Sequence, residues 1–498
     1  MLIAGSGCGD SNAADRSVPD ASIGGSRPDG SNDRGDGTAG DCLGCNEAAA
    51  PNCPPGSGLG CYVNSKCPNG GTTRITGTVY DPAGRNPLAN VGVYVPEHPD
   101  QLPALATGTS ICHSCDTSIR NAVTFTFSDE AGDFNLAGVP TGNNVPLVIQ
   151  LGKWRRTIIV PHVGDCRTTE LPSSGAGQAR LPRNQTEGSL PQMAVLTGGC
   201  DNVACFLRGV GVDASEFSAP GAGGRVDVYQ GLGDTGPGAA LSNGVAGDCT
   251  TASCPLWSSK TVLEAYDVLF LGCECSEHNE TKPSWSLLTM RDWFAEGPMV
   301  FATHSQTTWF KNGPADLQSV ASWSSGPASG AAGPFTVNTT FQGGMNLNTW
   351  LADVGATDAN GFLPVDPADV STSVTAVASP TIAWINDRGA AVADGGAQSG
   401  NVKALTARMR AGDVDAAFVI PEYCGWLNVT DIHPGGGQAL QEVNSDGSIT
   451  AAPVPAACDG GPLNAGDKAL EYLLFNQTIC ADTGGGVPPP PRPPPGDL

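Results

Sequence analysis

Between Gly77 and Gly142 the chain alternates short apolar runs of period two with turns made of Asp, Asn, Pro and Gly. Gly77-Thr78-Val79-Tyr80-Asp81 leads to Pro87-Leu88-Ala89-Asn90-Val91-Gly92-Val93. Ser128-Asp129-Glu130-Ala131-Gly132-Asp133-Phe134-Asn135-Leu136 and Val139-Pro140-Thr141-Gly142 follow. Successive side chains on a strand point to opposite faces, so this period puts one set in a core and leaves the other in solvent. A helix cannot bury such a pattern on one side. Ile75 and Val79, Val91, Val93 and Val95, Val123, Phe125 and Phe127, and Phe134 and Leu136 supply the inward sets. Apolar runs at 145–151 and 157–160 complete six or seven short strands, and this spacing predicts a β-sandwich over 72–166.

After a polar connector at 167–190 the rhythm changes. A short apolar strand at 193–197 ends at Gly198-Gly199, which reads as a tight strand-to-helix turn. It lacks the spaced glycines and the Lys-Ser/Thr pair of a phosphate loop. Val203, Phe206, Leu207 and Val210 then recur at helical spacing. Strands are expected at 224–229, 266–272 and 299–304, and helices at 256–265, 285–295 and 340–356. Strand-like stretches at 370–385, 414–420 and 426–433 precede a closing helix at 468–476. Alternation of this kind predicts a parallel sheet with helices on both faces over 191–482. Residues 9–41 hold almost no large apolar side chain and predict a disordered tether. The Pro-rich run at 483–498 predicts a disordered tail.

The strand-and-turn run of the first folded segment resembles the carboxypeptidase regulatory-like family. That resemblance implies an Ig/prealbumin-like sandwich with an accessory role. The second segment is similar to the class I glutamine amidotransferase-like group, on Tyr266-Asp267-Val268-Leu269-Phe270-Leu271-Gly272, Leu287-Leu288-Thr289-Met290-Arg291-Asp292-Trp293-Phe294-Ala295-Glu296-Gly297 and Pro298-Met299-Val300-Phe301-Ala302-Thr303-His304. It implies a Rossmann-like α/β fold. Together they resemble secreted bacterial proteins that join two such parts, and the resemblance implies an architecture without a defined activity.

The chain carries 18 cysteines, a load that points to an oxidising compartment. Cys42, Cys45, Cys53, Cys61 and Cys67 make 42–71 a disulfide-stapled stalk. Other cysteines fall close together, as Cys112/Cys115, Cys200/Cys205, Cys249/Cys254 and Cys273/Cys275, but spacing does not give connectivity. Met1-Leu2-Ile3-Ala4-Gly5-Ser6-Gly7-Cys8 resembles the end of a bacterial lipoprotein signal, with Cys8 as the lipidated residue. Lipid on Cys8 would leave an odd number of cysteines, hence one free thiol or one intermolecular bond. The expected location is extracytoplasmic, as an outer-membrane lipoprotein or a secreted protein. No apolar run reaches the ~20 residues that a membrane-spanning helix needs. A net charge of −24, from 25 basic and 49 acidic residues, excludes nucleic acid as a partner. Membrane contact is expected only through the lipid anchor.

The amidotransferase-like resemblance implies a cysteine on a sharp turn between strand and helix, and a histidine with a glutamate two residues on. Cys273, which follows the 266–272 strand, is the candidate nucleophile, and His433 is its candidate base. The match is incomplete: Pro434 and Gly435 follow His433, and the helix after Cys273 starts only near 285. Cys275 is close enough to Cys273 for oxidation to compete. His304, Asp431 and His433 end strands and form the candidate metal set, to which the run Cys273-Glu274-Cys275-Ser276-Glu277-His278-Asn279-Glu280 adds further ligand types. Trp154-Arg155-Arg156 reads as a charged edge strand, with a sugar or carboxylate as its alternative ligand. No cofactor is expected, with a metal ion as the alternative. The leading reading is a non-catalytic cell-envelope or secreted binding and structural protein, its partner an envelope component or a glycan. The alternatives are a hydrolase or amidotransferase-like enzyme using Cys273 or a metal near His304 and His433, and a carbohydrate-binding protein.

Overall fold

The computed structural model describes residues 53–476 apart from 55, 109–118, 120, 234–245, 297, 325–332, 367–368, 378–380, 388–390, 393–397, 411–422, 436–440, 444–448, 452–457 and 459. Cys8, the 1–41 tether, Cys42, Cys45, the Cys112-His113-Ser114-Cys115 loop, the 414–420 strand and the 483–498 tail lie outside the described residues.

Two sheets build the N-terminal part. Strands β1 (Arg74–Thr78), β2 (Gly92–Pro96), β3 (Ala122–Phe127), β4 (Asp133–Ala137), β5 (Gly142–Leu151), β6 (Trp154–Val163), β7 (Thr168–Glu170) and β8 (Gly188–Ser189) pair in the orders β4-β1-β7 and β3-β2-β5-β6-β8. All these pairings are antiparallel except β1 with β7. Ile75, Leu136, Val93, Val95, Leu147 and Ile149 meet in one buried core, as the period-two reading requires, but on β3 Val123 and Phe125 are only half-buried and Phe127 is exposed. The stalk is stitched to this body. Leu59 is buried in the same core, and a Cys67–Cys166 disulfide ties the segment before β1 to the residue range after β6. Cys53–Cys61 closes a small loop. The 167–190 connector is more than a polar spacer: it supplies β7, and Ala179 and Leu181 are fully buried.

The second part centres on a 13-stranded sheet. Its strands are β9 (Met193–Leu196), β10 (Phe217–Ser218), β11 (Val226–Gln230), β12 (Gly247–Asp248), β13 (Val268–Leu271), β14 (Met299–Thr303), β15 (Ser322–Trp323), β16 (Phe335–Val337), β17 (Val374–Val377), β18 (Ile382–Asp387), β19 (Ala391–Val392), β20 (Gln398–Arg410) and β21 (Tyr423–Thr430). The order β11-β9-β13-β14-β21 is parallel throughout, and β20 continues it antiparallel. Chain order therefore reverses between β9 and β13, which opens a crevice at their carboxyl ends. Helices α1 (Val203–Val210), α2 (Lys260–Leu263), α3 (Ser284–Phe294), α4 (Thr308–Lys311), α5 (Ala315–Gln318), α6 (Gln342–Asp353) and α7 (Ala465–Asn476) pack around the sheet. Two expectations change. The 256–265 helix shrinks to α2, because Pro255, Ser258 and Ser259 are poor helix formers and Cys249–Cys254 closes the loop before them. The 370–385 stretch is two strands, β17 and β18, and the long β20 had no sequence signal.

The strands of this sheet distribute their side chains alternately between two cores. Met193, Val195, Val268, Phe270, Met299 and Phe301 face one side. Ala194, Leu196, Leu269, Leu271, Val300 and Ala302 face the other, against Trp293 and Phe294 of α3. The first side also holds α1, α7 and the interior of the two N-terminal sheets, so one continuous core spans both parts. The boundaries at 72–166 and 191–482 mark a change of topology, not a break in packing. Trp154 shows this directly. It is fully buried with its ring edge-on to Phe475 of α7, 5.7 Å between centroids, and β6 pairs on both sides at Arg155 and Arg156. The segment is not an edge strand, and Trp154 offers no open face on which a sugar can stack.

Polar groups fix this junction. The Arg85 guanidinium donates to the carbonyls of Gly460 and Gly461, each at 2.6 Å, and Trp350 Nε1 donates to Pro87 O at 2.7 Å. Gly211 closes α1 with φ 108°, and a Cβ there would lie 2.1 Å from Ala83 N, so only glycine lets the 80–88 loop rest on the helix end. Beside it, Asp81 and Glu471 are both fully buried and interact directly, and Asp81 Oδ2 and Glu471 Oε1 meet no N–H or hydroxyl donor among the described residues. Two carboxyl groups can share a hydrogen bond only if one of them is protonated. Asn86 Nδ2 donates to Glu471 Oε2 at 2.6 Å and the Arg85 amide to Asp81 Oδ1 at 2.7 Å, with the charges of Arg85 and Lys468 nearby. Burial still pushes both acids upward, Asp81 to about 6.

The folded protein thus binds more protons here than the unfolded chain. Stability from this pair is present below pH ~4 and is lost as pH rises through about 6 and above. Glu471→Gln keeps the hydrogen bonds and removes the proton requirement. Denaturant unfolding at pH 5 and pH 8 should show the variant gaining on the wild type at pH 8 by on the order of 1–3 kcal/mol. Equal differences at the two pH values would contradict the shared proton.

Candidate functional site

The crevice between β9 and β13 collects the chain's unusual side chains. Gly198 and Gly199 turn sharply after β9 and deliver Asp201 to the start of α1. A Cβ on Gly198 would lie 2.1 Å from Cys273 O, so the turn reaches the end of β13 only because that side chain is absent. A Cys200–Cys275 disulfide then clamps the two loops together. Cys273 follows β13 as expected, and His304 follows β14. His433 lies three residues past β21, with its amide bonded to Asp369 O.

Asp201 is the buried hub. Its Oδ2 accepts from the Cys273 amide at 2.6 Å and from the Thr303 hydroxyl, and its Oδ1 meets His433 Nδ1 at 2.5 Å. On the far side of that ring, His433 Nε2 lies 3.1 Å from Ser371 Oγ. Cys273 Sγ lies 3.2 Å from His304 Nδ1, and the two imidazoles stand edge to face with centroids 5.4 Å apart. Asp431 is buried. Its Oδ2 accepts from the Ser373 amide at 2.7 Å, while Oδ1 has no hydrogen-bond partner among the described residues. His304 is the half-buried member of the group and Cys273, Asp201, Ser371 and Asp431 are buried.

The electrostatics separate the two histidines. Burial lowers the His304 pKa despite the nearby Asp431 and Asp201 charges, so its ring is neutral near pH 7. Burial also opposes charge on His433, but the Asp201 carboxylate in direct contact outweighs it and the net shift is upward. Cys273 is pushed up to about 12, first by burial and then by the Asp201 charge, so its resting form is the thiol. Burial raises Asp467, at the start of α7, to about 7.

All the residues singled out from the sequence, Cys273, His304, Asp431 and His433, are thus gathered in one site, but their partnerships differ from those expected. The imidazole on Cys273 is His304, not His433. The sharp turn between strand and helix is at His304, with φ 30°, one strand later than Cys273. Cys275 is not an oxidation partner for Cys273, because it is bonded to Cys200. Of the acidic run after Cys273, Glu274 is buried against Lys282 at 2.6 Å, Glu277 pairs with Lys311 and His278 with Glu280. None of these three faces the site as a free ligand. Asp201 and Ser371 carried no recognised motif. The one available signal for Asp201 was its place just after the glycine turn of the first parallel strand. Comparison with protein families, curated proteins and solved structures gives no match.

Cys273 is a free cysteine, and a buried thiol of raised pKa reacts slowly with alkylating agents. Peptide mapping after iodoacetamide treatment should find Cys273 unmodified in the native protein and modified once guanidinium is added. Complete native modification would show that the thiol is open to solvent.

Proposed function

We propose that the α/β part is a hydrolase working by acyl transfer, with Ser371 as nucleophile, His433 as general base and Asp201 as the carboxylate that orients and stabilises the imidazole. The observation that carries this reading is the Ser371–His433–Asp201 line, at 3.1 and 2.5 Å on opposite nitrogens of one ring. Such a constellation is recognised by geometry and roles, not by order along the chain. With His433 neutral, Nδ1–H donates to Asp201 and Nε2 accepts the serine proton as Oγ attacks a carbonyl carbon. The imidazolium then returns that proton to the leaving group. Cys273 is the weaker nucleophile candidate, since its thiolate is disfavoured by both burial and charge. The two-sheet part is proposed as a prealbumin-like accessory module bonded to the enzyme core, in a protein of an oxidising compartment. The disulfides support that location, and the N-terminal resemblance at Cys8 supports a lipid anchor. This reading is preferred to the non-catalytic one because the three groups stand in the order nucleophile, base and carboxylate on opposite nitrogens of one ring.

A fluorophosphonate probe tests it on the intact, oxidised chain. Labelling should map to Ser371 and fall by on the order of 10³-fold or more in Ser371→Ala and His433→Ala. Absence of labelling in the wild type, or persistence in Ser371→Ala, would refute the assignment. The rate of labelling should also rise with pH through a His433 midpoint above 6.5, and Asp201→Asn should move that midpoint down, because the raising charge has been removed.

A further inference from the structure

Cys273 and His304 have no task in the relay, yet they stand against it. Asp201, Cys273 and His433 each present one ligand-type atom, all within 4.8 Å of one another, and His304, outside that group, places Nδ1 3.2 Å from Cys273 Sγ. Bonds of ~2.3 Å to sulfur and ~2.0 Å to nitrogen or oxygen, at tetrahedral angles, put ligand atoms about 3.3–3.5 Å apart. The Asp201–His433 contact at 2.5 Å would open by less than about 1 Å to reach its own tetrahedral spacing. We propose that Asp201, Cys273 and His433 form a site for one thiophilic divalent cation of the zinc class, with His304 supporting the Cys273 sulfur, and that its binding switches the serine relay off.

Charge supports the site independently of its geometry. The groups acting on the two imidazoles include the carboxylates of Asp201, Asp369, Asp431 and Glu277. The neighbouring lysines are already committed, Lys282 to Glu274 and Lys311 to Glu277. Asp431 Oδ1 adds a buried acceptor with no partner among the described residues, in a residue only 1% exposed. A buried acceptor of this kind is costly unless a cation or a proton satisfies it. The outer shell is in place as well: the Cys273 amide and Thr303 hold Asp201 Oδ2, and Ser371 stands on His433 Nε2. The Cys200–Cys275 bond removes the cysteine nearest in sequence from competition for Cys273.

On binding, the cation expels the Cys273 thiol proton and the proton held between His433 and Asp201. His433 Nδ1 becomes a metal ligand, and its Nε2 takes up a proton from solvent so that the ring stays neutral; that N–H points at Ser371 Oγ. The ring can then no longer accept the serine proton. The switching half of the proposal rests on the hydrolase reading, whereas the binding half does not.

Cobalt(II) added to the full, oxidised, EDTA-treated chain reports on thiolate coordination through its sulfur-to-metal charge-transfer absorption in the near ultraviolet. One equivalent should produce this band in the wild type and in Ser371→Ala, and added zinc should bleach it. Cys273→Ser should lack the band. His304→Ala, altered at the half-buried partner of the Cys273 sulfur where folding is least at risk, should bind about tenfold more weakly. In the wild type, zinc should slow fluorophosphonate labelling at least tenfold and EDTA should restore it. A wild type without the band, or a band that survives in Cys273→Ser, overturns the metal site even if Ser371 is labelled. A cobalt band in a wild type that is never labelled upholds the metal site and sinks the serine relay instead. Labelling that zinc leaves unchanged in a cobalt-binding protein overturns the switch.

Discussion

The Asp201 carboxylate accepts from three directions at once, and each donor comes from a different strand end: the Cys273 amide after β13, the Thr303 hydroxyl at the end of β14 and His433 beyond β21. Asp201 itself follows β9. One buried anion thus holds four strand ends in register at the crevice. Its loss would leave a buried amide unsatisfied, at roughly 1–3 kcal/mol, the Thr303 hydroxyl with only Leu271 O to donate to, and an imidazole without orientation. The glycine turn at Gly198 and the Cys200–Cys275 bond make sense as the means of bringing this carboxylate close enough.

That arrangement accounts for what was legible in the sequence and what was not. Strands such as β9, β13 and β14 announce themselves because a strand buried on both faces is a continuous apolar run, and α3 and α7 because their apolar positions recur at helical spacing. Cys273, His304 and His433 were visible as scarce, chemically able residues at strand ends. Asp201 was invisible because a single Asp among 49 acidic residues carries no mark of burial. Ser371 was invisible for a related reason. It lies in an irregular segment whose position is set by backbone pairing to the 431–433 stretch, with Ser371 N bonded to Asp431 O. Contacts between residues 232 positions apart, as for Asp201 and His433, are made by topology and leave no local pattern.

The domain division was the least legible part. Period-two strands predicted one body and alternating strands and helices another, and both patterns are present. What the patterns could not reveal is that the apolar face of α7 and the interior of the first two sheets fill one another. The buried Trp154–Phe475 contact and the Asp81–Glu471 pair lie within that junction. Local hydrophobic period tells which side of an element is buried, but not against what.

The Cys205–Cys458 disulfide joins α1 to the segment before α7 across 253 residues. A chain synthesised from its N-terminus presents Cys200, Cys205, Cys249, Cys254, Cys273 and Cys275 long before Cys458 arrives. β21 and His433, which complete the crevice, arrive almost as late. Cys205 must therefore either stay reduced through most of the chain's emergence or give up an early partner by thiol exchange. The seam between α1 and α7 thus closes only when the Cys458 segment is in place, and Cys205 pairs last or by exchange.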